Sequence, residues 1–378
     1  MHYLDNSATT RVLPEAAEAA MHAMLEGFGN PSSQHRLGIE AARLLKESRE
    51  PVAGALGAQP GEVTFTSGGT EAINTAVFGA AFKNRHAGKH IVTTAIEHAA
   101  TRNACKRLEA EGYEVTYLKP DADGCISADD FAAALREDTI LASVMLVNNE
   151  VGAVLPVAEM GTLLHGKCPR ALFHVDAVQG LFRIPLTPKK WGCHLLSVSG
   201  HKIGAPKGVG ALYMQKGVNL RPYIVGGGQE SGMRSGTEPL PNIAAFAKAC
   251  RIRSAHMDAD VQHVAALDTY LRERVAAALP WAVWNGKAGV PHVANLSLPG
   301  CKSEVMLRVL ESDGVYVSAG SACSKGRESP VLKAMGVDKK RIDSALRISF
   351  APFNTKGDVD ALVAALQKGA KMLRRERN

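Results

Sequence analysis

Several polar and ionisable side chains of this 378-residue sequence follow directly after apolar, β-like runs. They are His98, Asn149, Asp176, Gln179, Ser199, His201 and Lys202. Each of them alone is compatible with an ordinary polar loop residue. In a parallel α/β sheet, however, ligands bind beyond the carboxyl ends of the strands, so these side chains are expected to converge. The pattern predicts one site with acid, base and amine chemistry.

Lys202 and Asp176 have the most specific chemistry in this set. A lysine that is desolvated at a strand end has a lowered pKa and can form a Schiff base with a carbonyl compound. For a lone lysine, a position on a surface loop is the commoner outcome. A carboxylate such as Asp176 can pair with a protonated ring nitrogen, which is the usual arrangement around pyridoxal phosphate.

The segment "TFTSGGTEAIN" predicts a phosphate site. A strand ends at Thr66, two glycines follow, and Thr70 opens a helix with Glu71 in its first turn. Free backbone N–H groups and the helix dipole bind phosphate at such a terminus. The alternative is an ordinary strand–turn–helix connection with Thr70 as the N-cap. A Walker A motif is missing, which argues against a nucleotide hydrolase.

Cys323 lies in "SAGSACSKG" (318–326), a segment of small residues that has little to pack. Nearby cations lower the pKa of a thiol, and Lys325 and Arg327 are the local candidates. The chain has seven cysteines without a C-x-x-C pair, so we expect neither a disulfide framework nor a zinc site. Most of the others are expected to be reduced and half-buried.

The composition is that of a soluble globular protein, with 46% hydrophobic and 21% charged residues. The longest apolar run, 140–147, is too short to span a bilayer, and "MHYLDNSATT" does not resemble a signal peptide. These features favour the cytoplasm and no membrane partner. The net charge of +7 comes from scattered cations, so anionic small molecules are expected rather than direct nucleic-acid binding.

Short β-rich runs alternate with helical stretches from about residue 62 to 214. The runs are 62–66, 90–94, 114–118, 140–147, 171–177, 195–199 and 208–214. This alternation predicts an α/β fold with a mostly parallel sheet and helices on both faces. After about residue 260 the pattern is mixed α+β. We therefore predict a large domain over 16–260 and a smaller one formed by 1–15 and 261–378, which carries Cys323.

The sequence resembles the cysteine desulfurases, the NifS/IscS-like group of the class V aminotransferases, essentially end to end. The motifs that carry the resemblance include "YLDNSATT", "FGNPSSQHRLG", "FTSGGTEAIN", "EHAA", "VNNEVG", "HVDAVQ", "SGHKIGAPKGVGALY", "GGGQESGMRSGTEP", "SAGSACS" and "LRISF". The resemblance implies the type I fold of pyridoxal-phosphate-dependent transferases, with a seven-stranded sheet. It also implies removal of sulfur from L-cysteine, which gives L-alanine and a persulfide on Cys323 for transfer to a sulfur-acceptor protein.

The resemblance also assigns roles to residues around the cofactor. Lys202 corresponds to the lysine that binds the cofactor covalently, Asp176 to the partner of the ring nitrogen, and Gln179 to a donor to the ring oxygen. His98 corresponds to the residue that stacks on the ring and acts as acid or base. The phosphate and remaining cofactor positions correspond to Gly69, Thr70, Ser199, His201 and Asn149.

Three further residues are assigned in the same way. Thr237 matches a threonine that reaches the phosphate from the neighbouring subunit, which implies a homodimer. Asn30 and Arg347 match the residues that hold the substrate carboxylate, and the planar fork of an arginine suits that role. No metal site is expected, although Cys323 could transiently contact an iron–sulfur cluster.

Some features depart from the family pattern and leave alternatives open. The segment after Cys323 is slightly shorter than in members with a long mobile loop, Ser231 stands where an arginine is common, and "SFAPFNT" follows Arg347. The sulfur acceptor could serve iron–sulfur cluster assembly, tRNA thiolation or thiamin-type pathways. The alternatives are a selenocysteine lyase or another class V enzyme and, outside catalysis, a silent binding protein of the same fold. The thiol in "GSAC" favours desulfuration because transamination does not need it.

Overall fold

The computed structural model describes residues 1–287, 289–320 and 328–375. Cys323 and the two neighbouring cations, Lys325 and Arg327, lie outside these residues. The predictions about the thiol and its local electrostatics therefore stay predictions.

The described residues form eleven α-helices and twelve β-strands. The helices are α1 (Pro14–Leu25), α2 (Arg36–Ala55), α3 (Gly69–Asn84), α4 (Ala99–Ala110), α5 (Ala128–Ala134), α6 (Val157–Lys167), α7 (Leu240–Ala278), α8 (Ser303–Ser312), α9 (Pro330–Ala334), α10 (Lys339–Ile342) and α11 (Lys356–Arg375). The strands are β1 (His2–Tyr3), β2 (Val63–Thr66), β3 (His90–Thr94), β4 (Glu114–Leu118), β5 (Thr139–Met145), β6 (Leu172–Asp176), β7 (Leu195–Ser199), β8 (Gly210–Met214), β9 (Val283–Trp284), β10 (Val293–Ser297), β11 (Val315–Tyr316) and β12 (Ala345–Ser349). None of the described helices combines the length and the apolar character that crossing a membrane requires.

The central sheet has seven strands in the order β2-β8-β7-β6-β5-β3-β4. Strand β8 runs antiparallel to β2 and β7, and the other neighbours are parallel. The predicted α/β class with a mostly parallel seven-stranded sheet is thus confirmed. The run predicted over 140–147 is shorter at its end, because β5 stops at Met145 and the side chain of Asn148 then holds a turn through the N–H groups of Glu150 and Val151.

The sheet is covered on both faces, and this decides where a ligand can enter. Successive residues of one strand belong to different hydrophobic clusters: Ile91 packs in the cluster that contains α3 and α4, whereas Val92 packs in the cluster on the other face. Leu195 and Leu196 divide in the same way. Since side chains alternate across a strand, helices occupy both faces and the strand ends remain for a site.

A separate hydrophobic cluster joins the chain's beginning to its C-terminal third. Leu4, Val264 and Leu271 belong to it, together with residues of β10 and β12. Strands β12, β10 and β9 form an antiparallel three-stranded sheet in that order. The helix α7 runs continuously across residue 260, which the predicted domain division used as a boundary. The division itself stays a prediction.

Candidate active site

A cavity of about 230 Å³ is lined by residues from the carboxyl ends of β3, β5, β6 and β7 and from the start of α3. We call it the strand-end cavity. The predicted site residues that line it are Gly69, Thr70, His98, Asn149, Asp176, Gln179, Ser199, His201, Lys202 and Arg347. Arg347 comes from β12, so the cavity lies where the C-terminal third meets the central sheet.

Lys202 lies in a short turn directly after β7, and its Nζ points at the N-terminal segment. Nζ donates to the carbonyl oxygens of Ser7 at 2.6 Å and Ala8 at 2.8 Å. The backbone N–H of Ser7 in turn donates to Ser349 Oγ at 2.8 Å. Ser7 and Ala8 were not singled out from the sequence. The motif "YLDNSATT" contains them, but its spacing gives no reason to place them beside Lys202.

Asp176 is the last residue of β6 and is buried, at 5% exposure. Its Oδ1 accepts from the backbone N–H of Val178 at 2.9 Å. Burial raises the pKa of this carboxyl to about 6, and the positive charge of Lys202 works in the opposite direction. The carboxyl is therefore mostly ionised at neutral pH, as the partner of a protonated ring nitrogen must be.

His98 is the N-cap of α4, which fixes the direction of its ring. Its Nδ1 accepts from the backbone N–H of Ala100 at 3.1 Å. In the neutral ring the proton therefore resides on Nε2. Burial, with the positive charges of Lys202 and Arg102, lowers the pKa of His98 to about 4. The ring is thus neutral at physiological pH and can donate from Nε2.

Glu97 directly precedes His98 in the sequence and is buried. Its Oε1 accepts from Thr94 Oγ1 at 2.7 Å and from the backbone N–H of Met145 at 2.9 Å. Its Oε2 has no hydrogen-bond partner among the described residues. Burial raises the pKa of Glu97 to about 8, with a contribution from Asp176. Glu97 is therefore mostly protonated at neutral pH and adds little negative charge beside Asp176.

The N-terminus of α3 opens onto the same cavity without a side-chain cap. The helix begins at Gly69 and its N-cap is Gly68, so Thr70 is not the cap. Gly68 has a φ of 151°, in a range that favours glycine. A Cβ on Gly69 would lie 2.8 Å from Val178 Cγ2. This close approach brings the free N–H groups of the helix to the cavity beside Ser199.

Arg347 is almost completely buried and holds three parts of the chain together. Its Nη2 donates to Asp5 Oδ1 at 2.8 Å, and its Nη1 donates to the carbonyl oxygen of Asn149 at 3.1 Å. Its Nε has no hydrogen-bond partner among the described residues. The backbone N–H of Arg347 donates to the carbonyl of Ser318 at 2.6 Å. The segment that leads to Cys323 thus starts beside Arg347.

Two predicted site residues do not line the strand-end cavity. Asn30 is exposed, and its Oδ1 accepts from the backbone N–H of Ser32 at 2.9 Å. Thr237 is also exposed. Gln179 does line the cavity, but its Nε2 donates to the Ser7 carbonyl at 3.0 Å. The roles of these three residues in binding substrate or cofactor stay predictions.

The chemistry of the cavity fits pyridoxal phosphate and an amino-acid substrate. The uncapped terminus of α3 suits a phosphate, and the buried Asp176 suits a protonated ring nitrogen. Ser7 Oγ and Arg347 Nε are buried without hydrogen-bond partners among the described residues, so polar ligand atoms would satisfy them. The residues present therefore fit the cofactor that the sequence predicts.

A family model for the class-V aminotransferases matches residues 2–362. The chain belongs to this family, which consists of pyridoxal-phosphate-dependent enzymes. A cysteine desulfurase of Trichormus azollae is 39% identical over 376 residues, which cover 98% of this chain and 93% of that protein. A solved NifS-like protein shares 36% identity with a TM-score of 0.92 and covers 98% of this chain and 99% of its own. The structure of SspA in complex with cysteine shares 32% identity with a TM-score of 0.82, over 94% of this chain and all of that chain. The predicted family and type I fold are confirmed.

Proposed function

We propose that this protein is a pyridoxal-phosphate-dependent cysteine desulfurase, which converts L-cysteine to L-alanine and leaves a persulfide on Cys323. The observation that carries the proposal is the meeting of Lys202, Asp176 and His98 in one cavity whose wall includes Arg347. The relative from Trichormus azollae is named a cysteine desulfurase, and SspA was solved with cysteine. Both names support L-cysteine as the substrate.

The cofactor would be held by residues that the chain already presents at the cavity. The N–H groups at the start of α3, with Thr70, Ser199 and His201, would bind the phosphate, and the ionised Asp176 would accept from the protonated ring nitrogen. When bound, pyridoxal phosphate supplies a sink for the electrons released at the substrate's α-carbon.

Lys202 and His98 contribute differently to the chemistry of the cavity. The Nζ of Lys202, once unprotonated, takes the proton from the α-carbon of the substrate. The carbonyls of Ser7 and Ala8, at 2.6 and 2.8 Å, orient this amine. His98 has a lowered pKa of about 4, so its ring is neutral at physiological pH and donates a hydrogen bond from Nε2 rather than a proton. Lys202 is thus the proton-transfer group, and His98 is a neutral hydrogen-bond donor.

Arg347 binds the substrate carboxylate and fixes the direction of the side chain that reacts. Asp5 and the Asn149 carbonyl hold the guanidinium in place, which leaves Nε for the ligand. A prearranged fork loses little freedom when it binds a carboxylate. The Asn30 side chain would supply a further contact if the segment around it moves toward the cavity.

Cys323 receives the sulfur. Its thiolate attacks the sulfur atom of the substrate, so that an S–S bond forms while the C–S bond breaks. The electron pair of the broken bond stays on carbon, which takes up a proton and becomes the methyl group of alanine. The strand contact between Ser318 and Arg347 supports this role, because it anchors the start of the cysteine segment beside the substrate carboxylate.

The active protein is proposed to be a homodimer in which Thr237 reaches the partner's phosphate site. Several large apolar side chains on α1, on the following turn and at the start of α2 are exposed, which supports a covered face. They are Met21, Met24, Leu25, Phe28 and Ile39.

The persulfide then passes to a sulfur-acceptor protein. Cys105, Cys125, Cys168, Cys193 and Cys250 are free thiols, which supports the cytoplasm as the compartment.

Comparison of the Cys323→Ala variant with the wild type on L-cysteine tests the function. We expect the variant to keep bound cofactor but to form no persulfide, measured by mass spectrometry, and to release alanine at least 100-fold more slowly. Cys125→Ala, which alters a half-exposed cysteine away from the cavity, is the control and should behave as the wild type. Unchanged persulfide and alanine in Cys323→Ala would refute the assignment. A parallel assay on selenocysteine separates the lyase alternative.

A further inference from the structure

A second cavity, of about 60 Å³, shares the lining residue Lys202 with the strand-end cavity. We call it the basic cavity. Its ionisable lining residues are Arg183, Lys202, Arg253, Asp260 and His292. Apolar side chains such as Val264 and Phe350 form much of the remaining wall. The cavity is therefore a small, mostly apolar space with an excess of basic groups.

Arg183 is a half-buried cation without a carboxylate partner among the described residues. Its Nη1 donates to the backbone carbonyl of Gln179 at 3.1 Å and to the side-chain Oε1 of the same residue. Burial lowers its pKa to about 9, and the charges of Arg253 and Arg347 act in the same direction. The acid in this cavity, Asp260, pairs with Arg253 at 3.0 Å. The charge of Arg183 is thus left uncompensated.

His292 adds an unsatisfied atom to the same wall. The residue is 4% exposed, and its Nε2 has no hydrogen-bond partner among the described residues. Burial, followed by the charge of Arg183, lowers its pKa well below the ordinary value, so the ring is neutral. A buried polar atom of this kind requires a partner, and the cavity beside it is large enough for a small ligand.

The backbone just before Arg183 is strained. Phe182 has a φ of 57°, in the left-handed region that residues other than glycine seldom adopt. This turn follows Gln179 and Leu181 and directs the chain along the cavity, which Phe182 and Arg183 both line. Strain of this kind persists where surrounding structure requires it, and it is commonly found at ligand sites.

We propose that the basic cavity binds a small, singly charged anion between Arg183 and His292. The anion accepts from the guanidinium and so compensates the buried charge. The ring of His292 hydrogen-bonds to the backbone of Gln179, which leaves Nε2 of the neutral ring as an acceptor. A hydroxyl-bearing anion such as bicarbonate donates to this Nε2, whereas chloride contacts the guanidinium alone. The mostly apolar wall disfavours divalent anions, because they are more costly to desolvate than singly charged ones.

The bound anion acts on the wall that the two cavities share. Arg183 holds Gln179, the Nε2 of Gln179 donates to the Ser7 carbonyl, and that carbonyl also accepts from Lys202 Nζ. An anion that fixes Arg183 therefore stabilises the contact that orients Lys202. Anion binding is expected to stabilise the folded protein whether or not substrate is present.

Thermal unfolding of the cofactor-loaded protein tests the proposal. Chloride or bicarbonate is added at constant ionic strength, with gluconate, a much larger anion, as the balancing anion. We expect a saturable rise in the melting temperature of about 2 °C for at least one of the small anions. Arg183→Met should abolish the rise, and in gluconate it should melt no lower than the wild type. Arg170→Met, at an exposed arginine, is the control and should keep the rise.

A second variant and a second readout cover the case in which Arg183→Met does not fold. His292→Phe should reduce the anion-dependent rise, and crystals soaked in bromide should show an anomalous peak between Arg183 and His292. The proposal is wrong if gluconate and both small anions give the same melting temperature. It is also wrong if Arg183→Met keeps the rise, or if chloride gives the rise and the bromide peak lies elsewhere only.

Discussion

The strand-end cavity and the basic cavity share Lys202, yet they balance buried charge in different ways. Around the strand-end cavity, Asp176 lies close enough to Lys202 for the amine to lower the pKa of the carboxyl, and Asp5 pairs with Arg347 at 2.8 Å. Around the basic cavity, Asp260 serves Arg253, and Arg183 contacts only neutral oxygen atoms of Gln179 among the described residues. The charge of Arg347 in the first cavity thus has a carboxylate partner, whereas the charge of Arg183 in the second has none among the described residues.

This difference suits the two cavities to different tasks, which are proton transfer in the first and anion binding in the second. In the strand-end cavity, compensated charges allow a neutral His98 and an ionised Asp176 to coexist a short distance from an amine, as proton transfer requires. In the basic cavity, an isolated charge is costly to bury, so its cost is offset when an anion binds. Substitutions that remove or alter one charged group at a time test this difference between the cavities.

Replacement of Lys202 by alanine should have the largest effect. Because Nζ is the proposed base and the covalent attachment point, turnover of L-cysteine should fall roughly 10³-fold or more. Borohydride should fix the cofactor to the wild-type chain but not to the variant, as intact-mass measurement would reveal. Lys207→Ala, at an exposed lysine of the same turn, should retain activity and fixation. Covalent fixation in the alanine variant would assign the attachment to another lysine.

Arg347→Lys tests the compensated charge at the substrate position. The lysine keeps the positive charge for Asp5 but loses the fork and the unsatisfied Nε. We expect KM for L-cysteine to rise about 10-fold to 100-fold with a smaller change in kcat. Arg170→Lys is the exposed control. An unchanged KM would mean that the substrate carboxylate binds elsewhere.

Much of the central sheet and of the strand-end cavity was predictable from the sequence for a physical reason. Parallel strands that are buried on both faces require continuous apolar runs, and their polar ends must lie at one edge. Asp176, Asn149 and Lys202 could therefore be placed together without coordinates.

What could not be predicted depends on contacts between distant parts of the chain. The backbone carbonyl of Ser7 accepts from Lys202 Nζ, which is 195 positions away in the sequence. No local sequence pattern indicates a contact between residues so far apart. The same holds for Asp5 and Arg347. Arg183 gives no sequence signal of burial because arginines are usually exposed. The predicted domain boundary at residue 260 rests on a change in the sequence pattern, whereas the helix α7 has no break there.

Glu97→Gln tests whether the charge balance of the strand-end cavity depends on a protonated carboxyl. Burial raises the pKa of Glu97 from 4.5 to about 8 in the folded protein. Between these values the folded state keeps the proton and the unfolded state loses it, so stability falls as pH rises, by about 1.4 kcal/mol per pH unit for this group. The glutamine variant, followed by urea unfolding from pH 5 to pH 8, should lose less stability than the wild type. Parallel curves for the two proteins would show that Glu97 is ionised in the folded state.

Asp260→Asn should have the smallest effect, and it directly tests whether the lack of acidic partners in the basic cavity favours anion binding. Asparagine keeps the size of the side chain but removes the acid that pairs with Arg253 at 3.0 Å. The basic cavity then has two uncompensated guanidinium groups, and its anion should bind more tightly. We expect the chloride or bicarbonate concentration at the midpoint of the thermal shift to fall about threefold, since partly screened charges several ångströms apart contribute modestly. Asp258→Asn, at an exposed acid of the same helix, should leave the midpoint unchanged. A midpoint that rises in Asp260→Asn would mean that Asp260 organises the cavity for its ligand rather than competing with the anion for Arg253.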